Sequence, residues 1–166
     1  QRLFAHDHPD VALSLNNLAS FYQSQARVEE AEPLHKQALA MRQRLFADDH
    51  PHVASSLNNL AALYKFQGKL AEAEPLYQQA LAMNQRLFAD DHPHVALSLN
   101  NLAALYKFQG KLAVAEPLYQ QALAMRQRLF SNDHPDVAQS LNNLALLFVA
   151  TYRYDQALDY MKQAMA

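Results

Sequence analysis

The sequence predicts an all-α fold, an α-solenoid of stacked antiparallel helix pairs, and three observations carry that reading. First, Gln43–Asn84 returns as Gln85–Arg126 with three changes: Ser55 becomes Leu97, Glu72 becomes Val114 and Asn84 becomes Arg126. Looser copies flank the pair at the same 42-residue spacing, as LSLNNLASFY before it and QSLNNLALLF after it. Second, Pro9, Pro51, Pro93 and Pro135 share one register, and Pro33, Pro75 and Pro117 share another. Third, the apolar residues inside each copy recur with helical periodicity and show no strand alternation. A fixed period of this size marks a repeat protein, whose units bury their apolar faces only by stacking on neighbours. The expected organisation is one continuous array. It has a remnant of a preceding second helix at 1–7, repeats at 8–49, 50–91 and 92–133, and a truncated repeat at 134–166.

Within the second repeat, Val53, Leu57, Leu60, Ala61 and Tyr64 fall on one helical face. Pro51 suits the first turn, where a missing N–H costs nothing, and Asp49 or His50 can cap the free donors. Gly68 follows about sixteen residues later, where a left-handed helix end favours a residue without Cβ. A second helix is expected from about Leu70, with Ala73, Leu76, Tyr77, Ala80, Leu81, Leu87 and Phe88 on its apolar side. Pro75 is tolerable in or just beyond its first turn, where amides are still unpaired. Ala61, Ala73 and Ala80 let the two helices approach closely, and Tyr64 and Tyr77 fill the remaining space.

The outer repeats depart from this pattern. Gly68 and Gly110 are replaced by Ala26 and Tyr152, which should alter those turns. His35 and Met161 stand where Tyr77 and Tyr119 do, and Asp159 stands in the register of Pro75. Leu158, Met161 and Met165 make the last helix too apolar for a finished polar cap, so it is expected to be covered.

Composition excludes several classes of function. Half of the chain is apolar, so disorder is not expected. A formal charge of −2, from 14 basic and 16 acidic residues, argues against a dedicated nucleic-acid binder. Without cysteine there are no disulfides, thiolate metal sites or cysteine nucleophiles. No apolar run is long enough to span a bilayer, and Gln1 opens nothing like a signal peptide. A piece of a longer, cytoplasmic protein is expected. The H-x-H pairs His6/His8, His50/His52 and His92/His94 sit once per repeat, so stacking separates them and no metal site is expected. Glu29, Glu30 and Glu32 read as a solvated acidic face at a helix start. No nucleophile–base order, phosphate loop or carboxylate pair stands out from the repeat, so neither an enzyme nor a cofactor is expected.

The motif Leu57-x2-Leu60-Ala61-x2-Tyr64, followed by Ala73-x3-Tyr77 and Ala80, resembles the tetratricopeptide repeat (TPR). Eight residues beyond the usual 34 lengthen the second helix, so the expected proline arrives late, as Pro93. The long form, with HPxVAxxLNNLAxLY, QGK and EAEPLY, is similar to the kinesin light chain type. The resemblance implies a TPR superhelix whose concave groove, lined by first helices, binds a peptide or protein partner. By resemblance the groove positions begin with Asn17, Asn59, Asn101 and Asn143, followed by Asn16, Asn58, Asn100 and Asn142. An amide offers donors and an acceptor to a peptide backbone, but one Asn of each pair could equally bond within its own repeat. Lys65, Phe66, Lys107 and Phe108 could add charge and apolar grip, although the two phenylalanines are expected to be partly packed between repeats. The carboxylate clamp of chaperone-binding relatives is not carried over, because Ser20, Ala62, Ala104 and Leu146 occupy one of its positions. Kinesin light chains prefer acidic, tryptophan-bearing peptides, which with Lys65 and Lys107 points to an acidic ligand. The alternatives are a structural array that self-associates through Leu158, Met161 and Met165, or the sensor arm of a larger signalling protein. Nothing in the resemblance implies a nucleic-acid or membrane partner.

Overall fold

The structure, a computed structural model, describes residues 7–165, and the expected helix remnant at 1–7 lies outside them but for Asp7. Eight helices make up the described chain: α1 (Pro9–Ser24), α2 (Val28–Leu45), α3 (Pro51–Phe66), α4 (Leu70–Leu87), α5 (Pro93–Phe108), α6 (Leu112–Leu129), α7 (Pro135–Ala150) and α8 (Tyr154–Ala164). No strand occurs among the described residues. The contacts divide the chain into two compact units, one ending at Leu87 and the other beginning at Phe88.

In the first unit α1 packs on α2, α2 on α3 and α3 on α4, the succession of a TPR solenoid. Alanines set the spacing: Ala19, Ala31, Ala38, Ala61, Ala73 and Ala80 are all fully buried. Ala19, Ala31 and Leu63 form one core cluster with Tyr22, Val28 and Leu34 packed around it. Val53, Leu57 and Ala80 form another, covered by Leu39, Phe46, Leu76 and Met83. The second unit repeats this arrangement from α5 to α8 around Tyr119, Leu123, Val137, Leu141, Leu144 and Phe148.

Each first helix starts in the same way. His8, His50, His92 and His134 are the N-caps, and each ring accepts through Nδ1 from the backbone N–H two residues on, at 3.1–3.2 Å. The histidine, not the neighbouring aspartate, is therefore the cap. In the later repeats its ring also stacks on the phenylalanine that follows the preceding second helix, with centroids 3.6 Å apart for Phe46 and His50. Phe46 thus lies just beyond α2, and Phe88 likewise just beyond α4, not on the helix itself. Pro75 is the sixth residue of α4, past the first turn, and the helix continues through it.

The turns between paired helices depart from expectation. Gly68 and Gly110 adopt φ of +74° and +75°, as a left-handed helix end requires. Ala26 and Tyr152 keep the same turn at φ of 58° and 59°, so the substitutions do not alter it. The reason is the hydrogen bond that closes it. Lys69 N–H donates to the Tyr64 carbonyl at 2.9 Å, as Arg27 does to Tyr22 at 2.9 Å and Arg153 to Phe148 at 2.8 Å. Packing of the helix pair holds the outer turns in a conformation that costs a residue with Cβ about 1–2 kcal/mol.

Candidate peptide-binding face

The asparagine pairs divide between two roles. In the first unit Asn16 is buried: its amide donates to Ser56 Oγ at 2.9 Å, and its oxygen faces His35 Nδ1 at 2.9 Å. Because that oxygen can only accept, His35 is protonated at Nδ1, and burial lowers its pKa below the ordinary histidine value. Asn16 therefore takes the internal role. Asn17 is exposed, and Asn58 and Asn59 are half-buried.

In the second unit Asn100 is 7% exposed and accepts from the Asn143 amide at 2.7 Å, so it too is turned inward. Asn101 and Asn143 are half-buried and Asn142 is exposed.

Lys65 lies in the last turn of α3 and Lys107 in the last turn of α5. Both are half-buried, and burial lowers the pKa of each below the ordinary lysine value. Neither ammonium has a hydrogen-bond or ion-pair partner among the described residues. Their neighbours Phe66 and Phe108 are 59% and 66% exposed, which corrects the expectation that they pack between repeats. Each is the last residue of its helix, one position past the half-buried lysine.

Most other cations are satisfied locally. Arg44 forks onto Asp7, Arg86 onto Asp49 and Arg128 onto Asp91, each pair 37 residues apart. Arg153 meets Glu116 at 2.6 Å across the same interval. Glu32 is no solvated charge, a second correction. It accepts from Lys36 at 2.7 Å, from Gln67 and Lys69 at 3.2 Å, and from the Tyr64 hydroxyl at 3.4 Å. These donors, Lys36 foremost, hold its carboxyl down to about 2. Glu29 remains exposed and Glu30 pairs with Arg27 at 2.6 Å.

Two arginines that the sequence did not single out belong to the core. Arg42, 4% exposed, donates to the His52 carbonyl and to Ser56 Oγ, both at 2.9 Å. Arg126, 2% exposed, donates to the Asp136 carbonyl and Ser140 Oγ at 2.8 Å and to Gln139 at 3.2 Å. The fixed 14-residue Arg-to-Ser interval is the signal that could have found them.

At the end of the second unit Leu158 is 51% and Met165 79% exposed, while Met161 is half-buried. Among the described residues no three His, Asp or Glu side chains gather to hold a metal, and no helix is long and apolar enough to cross a membrane.

The profile of the family described as tetratricopeptide repeat matches residues 1–44, 10–86, 53–128 and 94–166, which together span the chain. The chain belongs to the tetratricopeptide-repeat family. Solved structures agree with the sequence. This TPR chain is 28% identical to BtubC (BKLC) from P. vanneervenii, with a TM-score of 0.85 over 99% of this chain and 66% of that one. The nearly identical TPR-like repeats of a putative Podosopora anserina kinesin light chain also share 28% identity, with a TM-score of 0.84 over 95% of this chain and 75% of that one. A singly substituted form of those repeats matches equally, with 74% of its chain covered. The comparison with curated proteins gives no significant match. TPR domains generally bind protein or peptide partners and are generally non-catalytic scaffolds.

Proposed function

We propose that this TPR protein is an interaction scaffold for acidic peptide segments, held on the first-helix face of each unit. Lys65 and Lys107 carry the reading. A half-buried ammonium without a carboxylate is partly stripped of water and still uncompensated, so an incoming Asp or Glu gains more there than at an exposed lysine. Phe66 in one unit and Phe108 in the other stand beside these charges and offer apolar contact to a ligand. Asn17 and Asn59 in the first unit, and Asn101 and Asn142 in the second, offer amides to its backbone. Asn16 and Asn100 are spent on the interior and are left out of the surface.

An arrayed peptide set graded from acidic to basic tests the charge preference. Acidic members should be retained, and Lys65→Ala with Lys107→Ala should erase the preference. Equal retention of basic members would count against the reading.

A second reading rests on α8. Leu158 on α8 and Met165 just past its end are exposed and Met161 is half-buried, apolar surface that a second copy could cover. Molar mass by light scattering should then rise with concentration and stop rising after Leu158→Lys and Met165→Lys. A constant mass near the 18.8 kDa of one chain removes it.

A further inference from the structure

The α7–α8 turn carries two aromatic rings that the fold does not bury. Tyr152 takes the left-handed position, with φ of 59°, where the second and third repeats have Gly68 and Gly110. Its side chain is 80% exposed, so no packing offsets the strain of that position. Tyr154 is 60% exposed where Leu70 and Leu112 are half-buried. The two rings meet edge to face, with centroids 6.3 Å apart. With Arg153, Asp155 and Gln156 they line an open pocket of about 350 Å³. This surface does not owe its exposure to the end of the array. The corresponding turn of the third repeat is followed by α7 and α8 in the same unit, and there Gly110, Lys111, Ala113 and Val114 are exposed as well.

The turns themselves indicate what such rings take. In each repeat the cation of the turn lies over the ring five residues before it, at 4.1–5.4 Å: Arg27 over Tyr22, Lys69 over Tyr64, Lys111 over Tyr106 and Arg153 over Phe148. Tyr152 and Tyr154 are additional rings, and among the described residues no cation lies over either. Arg153, between them in sequence, is committed to Phe148 and to Glu116 at 2.6 Å. Asp155 is exposed and has no partner among the described residues, in a register where the second and third repeats have Ala71 and Ala113. Two electron-rich ring faces beside an unpaired carboxylate complement a cation. A guanidinium fits best, because it is planar, stacks on a ring and still directs N–H groups at a carboxylate.

We infer that Tyr152, Tyr154 and Asp155 form a docking site for an arginine side chain of a protein partner. The guanidinium stacks against the two rings and donates to the Asp155 carboxylate. This site uses none of the asparagines or lysines of the proposed peptide face and takes the opposite charge, so either can fail without the other.

The test is fluorescence anisotropy of a labelled peptide of alternating glycine and arginine, titrated with the whole chain beside a counterpart with glutamine for arginine. The arginine peptide should bind saturably and the glutamine peptide should not. Tyr152→Gly combined with Tyr154→Leu restores the residues of the second and third repeats, so the fold is kept, as helical circular dichroism checks. That variant should weaken binding about tenfold or more, the scale of two lost cation–ring contacts. Asp155→Ala, again the residue of those repeats, should weaken it as well. Absence of saturable binding overturns the inference. Equal binding of the glutamine peptide does so too, because the contact is then apolar. So does undiminished binding by the double variant or by Asp155→Ala, since the peptide is then held by acidic residues elsewhere on the chain.

Discussion

The Arg42 guanidinium donates to the Ser56 hydroxyl at 2.9 Å across the α2–α3 contact, with both side chains buried and no carboxylate among the described residues bonded to it. A buried cation held only by neutral acceptors keeps its charge at a cost in desolvation, visible as a pKa lowered by burial. Removing an acceptor should therefore hurt more than removing the cation. Ser56→Ala is expected to cost about 1–3 kcal/mol, whereas Arg42→Met, similar in length and apolar, should stay within about 1 kcal/mol. Urea unfolding of the two variants checks the order, and a larger loss from Arg42→Met would contradict it.

The left-handed turns at Ala26 and Tyr152 are held by their surroundings against the preference of a residue with Cβ. Tyr152→Gly should stabilise the chain by about 1 kcal/mol, because its side chain is largely exposed and little packing is lost. Ala26→Gly should act in the same direction. Gly68→Ala, with open space around the new methyl group but φ of +74°, should destabilise by a similar amount. Thermal midpoints of the three variants decide.

Stability should fall with acidity in two separate windows. Burial keeps His50, His92 and His35 below the ordinary histidine value, so the folded state prefers the neutral ring. Their contribution is complete above about pH 6.5 and is lost as pH falls through the lower folded values. For His50 and His92 protonation also removes the Nδ1 acceptor of the N-cap, worth about 0.5–2 kcal/mol each. Denaturant midpoints at about pH 7.5 and about pH 5.5, on either side of the ordinary histidine value, should differ. His50→Asn, which caps without titrating, should narrow the gap.

The second window belongs to Glu32. Its folded carboxyl is lowered from 4.5 to about 2, so its stabilisation is complete above about pH 4.5 and disappears as pH drops towards 2. Glu32→Gln keeps the shape and loses the charge. It should cost about 1–2 kcal/mol at neutral pH and flatten the acid limb below about pH 4.5, as measured by unfolding across that range.

Much of the fold could be read from periodicity because helix ends are local events. Pro51 and Gly68 mark α3 from within its own stretch of sequence, and buried Ala61, Ala73 and Ala80 declare a close helix pair. The contacts that join one helix pair to the next were harder to read, because they depend on long side chains reaching across a turn. The Asp49–Arg86 interval of 37 residues recurs as Asp7–Arg44 and Asp91–Arg128, yet nothing within 49–86 itself marks it as a contact. Glu32 looked like surface charge because its donors Gln67 and Lys69 come from the next repeat. Each asparagine pair offered two equivalent amides in sequence, and only helix rotation decided that Asn16 and Asn100 turn inward. The same rotation leaves Phe66 and Phe108 outside.

The central claim is that the amides and lysines of the first helices grip a peptide ligand. Calorimetric titration of one acidic peptide into the wild-type chain and into the Asn59→Ala, Asn101→Ala double variant tests it most directly. Loss of two backbone-holding amides should weaken binding about tenfold or more while the thermal midpoint stays put, since both residues are half-buried and not in the core. Unchanged affinity in the double variant would contradict the assignment of this face.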